Sequence, residues 1–487
     1  MNYFKKQQID DIDIEKNKTD EEEEEEKMEE QDSNRSVFRR SVSIIVILGL
    51  LVVVNTFTDV VFEGSLNGMK EEHEHFEEKP WIIRKICPVA GIVIASLFGL
   101  LWGKYSSSQI LVGAVATRII FSIASLFIPN KGFWILVIFK SVTSSIRGGY
   151  MTNAPLITAD LFYRETRMKL QCIICILYSM GCVLGSIYGQ NMITFLNPNW
   201  RHILLLDAGI SIVALLLILC IRSRSPKICG LVINPKKYPK KRSIMSNILA
   251  LIVNRSLICS VTGYAAASCV STGIFMWAFS IMKRVHNVNK PCNSFICTLD
   301  YNVQYELLNC VSTIVGTTLG TVISHFFKKT NLKAHPNLCL IGLFLAAPLL
   351  CGGIISIKRD LFTAQILFLL SGIFLSLNEI STNEIIMTTV IPTSYSWAYS
   401  VKSVGKSAAN NGVPVIFNKI FVKVIKVNQH SELFQNSMEY VILICPFMAL
   451  IGAGLFTMTT KYIEDDEKAV QQYLNPPDLA EVLESSD

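Results

Sequence analysis

The residues of this sequence that could do chemistry are ionisable side chains set in apolar surroundings. The stretch V-I-F-K-S-V-T-S-S-I-R-G-G-Y-M-T-N-A-P, residues 137 to 155, carries Lys140 and Arg147. Seven apart on a helix of 3.6 residues per turn, they differ by only about 20° in azimuth and share one face. A cation facing lipid at mid-bilayer costs at least about 2.5 to 3.5 kcal/mol, so that face must turn toward water or an anion. Asp59 and Glu63, in N-T-F-T-D-V-V-F-E-G-S-L, are four apart and stack in the same way. The expected arrangement pairs Arg147 with Asp59 across an empty cavity, and an anionic substrate group competes for Arg147. Lys140 has a second reading, in which it snorkels to an interface from near its helix start.

Further along, F-L-S-L-N-E-I-S-T-N-E-I-I-M holds Asn378, Glu379 and Asn383, and Lys402, Lys406 and Asn410 recur at four-residue spacing. This stripe reads either as substrate contact or as a hydrogen-bond seam between helices. Asp59, Glu63 and Glu379 are the candidate proton carriers, because an acid inside a membrane is where a proton can be taken up and released. Tyr150, Tyr178 and Trp277 would border a path for an apolar tail, and Asn153 completes the candidate substrate-binding set.

Composition supplies the elements that must position these residues. With 51% apolar and 17% charged residues, the chain is too hydrophobic for an ordinary soluble protein. Runs of spanning length lie near residues 42 to 62, 86 to 103, 109 to 128, 133 to 157, 168 to 190 and 203 to 221. Six more lie near 256 to 281, 304 to 327, 338 to 356, 362 to 390, 396 to 424 and 439 to 460. The expectation is an all-α polytopic membrane protein of 12 transmembrane helices in two six-helix halves. Its parts are an acidic disordered tail (1 to 40), a first bundle (41 to 221), a basic linker (222 to 247), a second bundle (248 to 460) and a C-terminal tail (461 to 487).

The linker is rich in Pro and Lys/Arg, and Arg39, Arg40, Arg164, Arg167, Lys169, Lys328, Lys329 and Lys333 fall on its side of the membrane. By the positive-inside rule that side is cytosolic and so are both termini. The layout is that of the major facilitator superfamily, in which two halves rock about a site near the bilayer midplane.

Other chemistries find little support. His73 and His75, in a loop rich in glutamate, read as solvated side chains, not metal ligands, and paired C-x-x-C motifs of a zinc site are lacking. No hydrolase elbow accompanies the scattered Ser, His and Asp residues, so no enzyme and no cofactor is expected. A net charge of +6 without a recognition module gives no case for nucleic acid. Cys292 and Cys297 lie on the non-cytosolic side, where a disulfide can form. The pairs Gly148-Gly149 and Gly352-Gly353 read as close helix packing.

Several segments then resemble the spinster family. A-P-L-I-T-A-D-L-F-Y-R-E-T-R (154 to 167) is similar to the exit of its fourth span, and G-C-V-L-G-S-I-Y-G (181 to 189) to its glycine-rich fifth. N-R-S (254 to 256) with the later F-M-W, C-N-S-F-I-C (292 to 297), A-H-P-N-L-C (334 to 339), V-I-P-T (390 to 393) and L-I-C-P-F (443 to 447) follow in order. The resemblance covers about residues 40 to 475. It implies a transporter of amphiphilic lipids with a polar head, such as lysophospholipids or sphingosine phosphate, in late endosomes and lysosomes or at the plasma membrane. Its partners would be that lipid substrate and the surrounding membrane lipids. A carrier of small polar organic anions or sugars, and a transport-incompetent lipid sensor or scaffold, are the alternatives.

The departures are specific. Thr58 and Asp59 stand where the family has an Asp-Arg pair, Arg147 where it has a Glu, and Lys140 where it has an Arg. The superfamily's gate motif reads G-L-L-W-G-K-Y-S-S-S (99 to 108), with Gly103 in place of its Asp. Leu205 stands where the family has an Arg, and Asn410 or Asn411 where it has an Asp.

Overall fold

Inside a bilayer a single apolar segment satisfies its backbone only as a helix, and helices are what these apolar runs form. The computed structural model describes residues 42–62, 107–129, 132–162, 164–195, 200–223, 250–289, 301–327, 332–424 and 442–474. Among them are eleven long helices. They are α1 (Val42–Phe62), α2 (Ser107–Leu126), α3 (Phe133–Leu161), α4 (Arg164–Phe195), α5 (Trp200–Ser223) and α6 (Arg255–Asn289). The rest are α7 (Tyr301–Phe327), α8 (Ala334–Ser356), α9 (Leu361–Thr389), α10 (Tyr395–Val424) and α11 (Ile444–Leu474).

These helices correspond to eleven of the twelve expected spans; the run 86 to 103, Glu63, Gly103, the linker and both cysteines of the 292 to 297 loop lie outside the described residues. Nine of the eleven are long and apolar enough to cross a membrane. The side chains of the other two, α3 and α10, are described over only part of their length.

One core joins Leu48, Leu51 and Val52 of α1 to Leu111 and Val115 of α2, Ile146 of α3, Ile174 of α4 and Ile218 of α5. A second joins α6, α8, α9 and α11 through Tyr264, Leu343, Phe368 and Phe456. Helices α4 and α7 pack along each other between the two groups. Helix α11 runs fourteen residues past the expected span end. Its extension is anchored by an ion pair from Lys333 to Glu464 (3.0 Å) and by Asp466, whose Oδ2 accepts the Ser256 backbone N–H at 2.9 Å. The starts of α6 and α8 therefore meet the end of α11 at one end of the bundle, the end where the linker attaches.

Small residues set how closely α1 approaches α4. A Cβ at Gly181 would stand 2.8 Å from the Val53 carbonyl oxygen, and one at Gly185 would stand 2.9 Å from that of Phe57. Only glycine fits this seam, which fixes the height and rotation of α1 and hence of Asp59. Gly353 abuts the Phe368 ring in the same way. Gly185→Val is expected to destabilise the solubilised protein by about 1–3 kcal/mol. Gly113→Val serves as the control in thermal unfolding, because nothing lies within 4 Å of its added Cβ.

Candidate functional site

Buried charge in the first bundle gathers where α1, α2, α3 and α5 meet. The Lys140 ammonium donates to Asp59 Oδ1 at 2.6 Å and lies 4.3 Å from the centroid of the Phe62 ring. Arg118 of α2 donates to Asp207 Oδ1 of α5 through Nη2 (2.7 Å) and Nε (3.2 Å). Its Nη1 reaches the Thr143 carbonyl of α3 at 2.9 Å, and its Nη2 lies 3.7 Å from Asp59 Oδ1. The Thr58 and Ser122 hydroxyls donate to Asp207 at 2.9 and 2.7 Å.

All four charged residues are at most 5% exposed. Two acids and two bases sum to zero, and short, multiply bonded contacts are what such burial demands against the desolvation of each ion. The snorkelling reading of Lys140 does not hold: its head group points inward, onto an acid of another helix. Arg147, Tyr150 and Asn153 follow it on α3, and their side chains, like that of Trp277 on α6, lie outside the described residues.

The second bundle brings a different set together. Glu379 of α9 lies 3.4 Å from the Lys402 ammonium and 3.3 Å from that of Lys406, both on α10, and accepts a hydrogen bond from the Tyr264 hydroxyl of α6. Lys402 also donates to Asn383 Oδ1 at 2.6 Å and sits 4.1 Å from the Tyr264 ring centroid, in cation–π range. Asn410 Oδ1 accepts from Thr272 at 2.8 Å. The four-residue stripe thus forms a seam from α10 to α6 and α9. Asn378, one residue from Glu379, is buried and donates to the Leu375 carbonyl of its own helix. Tyr178 of α4 packs, partly buried, against the first bundle's core, and Asn383 joins Lys402 to Gln171 of α4, which places the cluster beside the junction of the two bundles.

Toward the linker end the bundles are latched. Arg167, at the start of α4, donates to Glu384 of α9 at 2.9 and 3.0 Å, and Glu384 is fully buried. Asn383 donates to Gln171 at 3.3 Å, and Gln171 to Thr158 of α3 at the same distance. An apolar seam of Leu156 and Ala159 with Ile386, Met387, Ala398 and Tyr399 closes around them. Asn383 therefore touches both Lys402 and the latch.

Sequence reasoning named Asp59, Lys140, Glu379, Lys402 and Lys406, and the structure joins them as two clusters. It missed Arg118, Asp207 and Glu384. The signal for the first two was present, since each is an ionisable residue in the middle of an otherwise apolar run. Arg167 was read only as a topology marker. Among the described residues no group of three or more His, Cys, Asp or Glu side chains could hold a metal ion.

Residues 86–410 match the Major Facilitator Superfamily. Protein spinster homolog 1 of Xenopus tropicalis is 27% identical over 442 residues, covering 90% of this chain and 84% of that protein. The sphingosine-1-phosphate transporter SPNS2 of Xenopus tropicalis is 24% identical over 438 residues, covering 88% and 84%. A crystal structure of a bacterial homolog to the human lysosomal transporter spinster, inward-facing and unoccupied, matches with a TM-score of 0.56 at 12% identity, over 88% of this chain and 98% of that one. Two bundles of membrane-length helices, with ionised side chains turned inward, have the fold of these transporters. The chain belongs to the major facilitator superfamily, and over nine-tenths of its length it is similar to spinster proteins.

Proposed function

We propose that this integral membrane protein is a secondary transporter that moves an amphiphilic lipid with an anionic or zwitterionic head, such as a lysophospholipid or sphingosine phosphate. The observation that carries this reading is the placement of Glu379, Lys402 and Lys406 beside the junction of two membrane bundles, where a polar head can be met by charge while its tail lies along apolar helix surface. The similarity to spinster proteins supports the same substrate class. The Arg167–Glu384 latch closes the linker end, and alternating access would break it once in each cycle.

Asp59 and Glu379 are the acids through which protons would couple, with Glu63 a further candidate. Arg147 remains a proposed contact of the head, and Tyr178 and Trp277 of the tail. We place both termini and the linker in the cytosol, and the protein in a late endosomal, lysosomal or plasma membrane. Transport, not catalysis, is the activity this site supports.

Proteoliposomes holding the full chain test this reading with a panel of radiolabelled single-chain lipids and short-chain or sugar controls, at two pH values. Uptake of long-chain lipids well above that of the short-chain controls, and above that of empty vesicles, is expected. Equal uptake of both groups would point to a carrier of small polar solutes. Binding without uptake would point to a sensor.

A further inference from the structure

The two charged clusters differ in a way that assigns them different tasks. In the first bundle Asp59, Asp207, Lys140 and Arg118 cancel one another, the tightest pairs are 2.6 and 2.7 Å, and the whole set is sealed. A ligand anion would have to break a bond at full strength to enter there. In the second bundle one carboxylate, that of Glu379, serves two ammonium groups at 3.3 and 3.4 Å, longer than the 2.7–2.9 Å of a tight charge-assisted bond. Among the described residues of this cluster one positive charge is left over. The Lys406 side chain is 44% exposed and that of Glu379 30%, so the surplus cation is reachable.

We propose that Lys402 and Lys406 form the subsite for the cargo's anionic group, and that Glu379 is a resident counter-ion which that group displaces. This inference rests on the transport reading above and locates the head within it. When Glu379 gives way it keeps the Tyr264 hydroxyl as a hydrogen-bond partner, so the displaced acid is not left unsatisfied. Two ammonium groups released together match a head carrying close to two negative charges, a phosphate monoester, better than a zwitterionic phosphodiester. Lysine suits this exchange because its ammonium is a flexible point charge, not a fixed fork. The first bundle's cluster then positions helices and does not hold the head.

Equilibrium binding to the full chain in nanodiscs of zwitterionic lipid tests the assignment, with lysophosphatidic acid as the charged probe and a chain-matched monoacylglycerol as the neutral one. Lys406→Gln should weaken lysophosphatidic acid by about tenfold or more and leave the monoacylglycerol unchanged. Lys406→Arg should retain most of the affinity, and Glu379→Gln should tighten the charged probe about tenfold. If folded Lys406→Gln and Glu379→Gln leave the ratio of the two affinities unchanged, the subsite assignment is wrong while the transport reading stands. If the unsubstituted chain binds neither lipid, the transport reading falls, and titration with inorganic phosphate decides the subsite. Phosphate binding that disappears in Lys406→Gln would uphold it for a soluble anion, and no phosphate binding would overturn it.

Discussion

Arg118→Leu is expected to destabilise the protein by about 3 to 5 kcal/mol, the largest effect of any single substitution argued from this structure. The guanidinium is fully buried and holds Asp207 through two nitrogens while reaching the Thr143 carbonyl and Asp59. Its removal strands the Asp207 carboxylate in a low-dielectric interior, where among the described residues only the Thr58 and Ser122 hydroxyls remain to donate to it. The reciprocal change, Asp207→Leu, strands the cation and should be comparably severe. Arg118→Leu combined with Asp207→Leu should recover most of the loss, because an apolar pair of similar volume carries no desolvation penalty. Thermal unfolding of the purified single and double variants checks this. Additive losses would mean that the two residues do not act as one pair.

The second large effect is conformational. Glu384→Gln removes the charge from the carboxylate that Arg167 grips at 2.9 and 3.0 Å, a contact made only while the two bundles are together at the linker end. A hydrogen bond to a charged group contributes about 1.5–3 kcal/mol, so the ratio of closed to open forms at that end should fall by about tenfold to a hundredfold. Spin labels at Lys169 and Lys461, both exposed and in opposite bundles, would report the change as a new population at longer distance. An unchanged distance distribution would mean that the apolar seam of Leu156, Ala159, Ile386 and Met387 closes the end by itself. Gly103 stands in the superfamily's gate motif where an acid is expected, which makes a second device at this end, such as Arg167–Glu384, functionally relevant.

How much of this was readable in the sequence varies by level. Helix positions were legible because each span is a run of apolar residues of membrane length, and eleven described helices fall where those runs lie. The inward facing of Asp59 was legible from the cost of exposing charge to lipid, and that of Lys140 was one of two readings. Their partnership was not, because spacing along α3 puts Lys140 and Arg147 on one stripe but says nothing of how high Asp59 stands on a different helix. That height is set by the Gly181 and Gly185 contacts with α1.

Arg118 and Asp207 were each visible as isolated charges, yet they lie 89 residues apart, and only packing of α2 against α5 brings them together. The seam from Lys402 and Asn410 to α6 and α9 was foreseen as one of two readings. Local spacing could not show that Lys406 and Glu379 are more open than Lys402, because exposure is a property of the gap between bundles. The extension of α11 was missed because hydropathy ends a span where charge begins, although E-D-D-E-K-A-V-Q-Q continues to favour helix.

The central claim is that Lys406 and Glu379 look onto water between two bundles, while the ions of the first bundle are sealed. Its most direct test is the accessibility of position 406. Lys406→Cys, reconstituted in proteoliposomes, is treated with a membrane-impermeant cationic thiol reagent from either side, with labelling measured against the unsubstituted chain. Because the linker end is latched, reaction is expected from the opposite side, with protection by lysophosphatidic acid and faster reaction from the linker side once Glu384→Gln is added. A cysteine at position 406 that stays unlabelled from both sides, while a control at exposed Lys169 reacts, would show that no aqueous space reaches the cluster and would contradict the account.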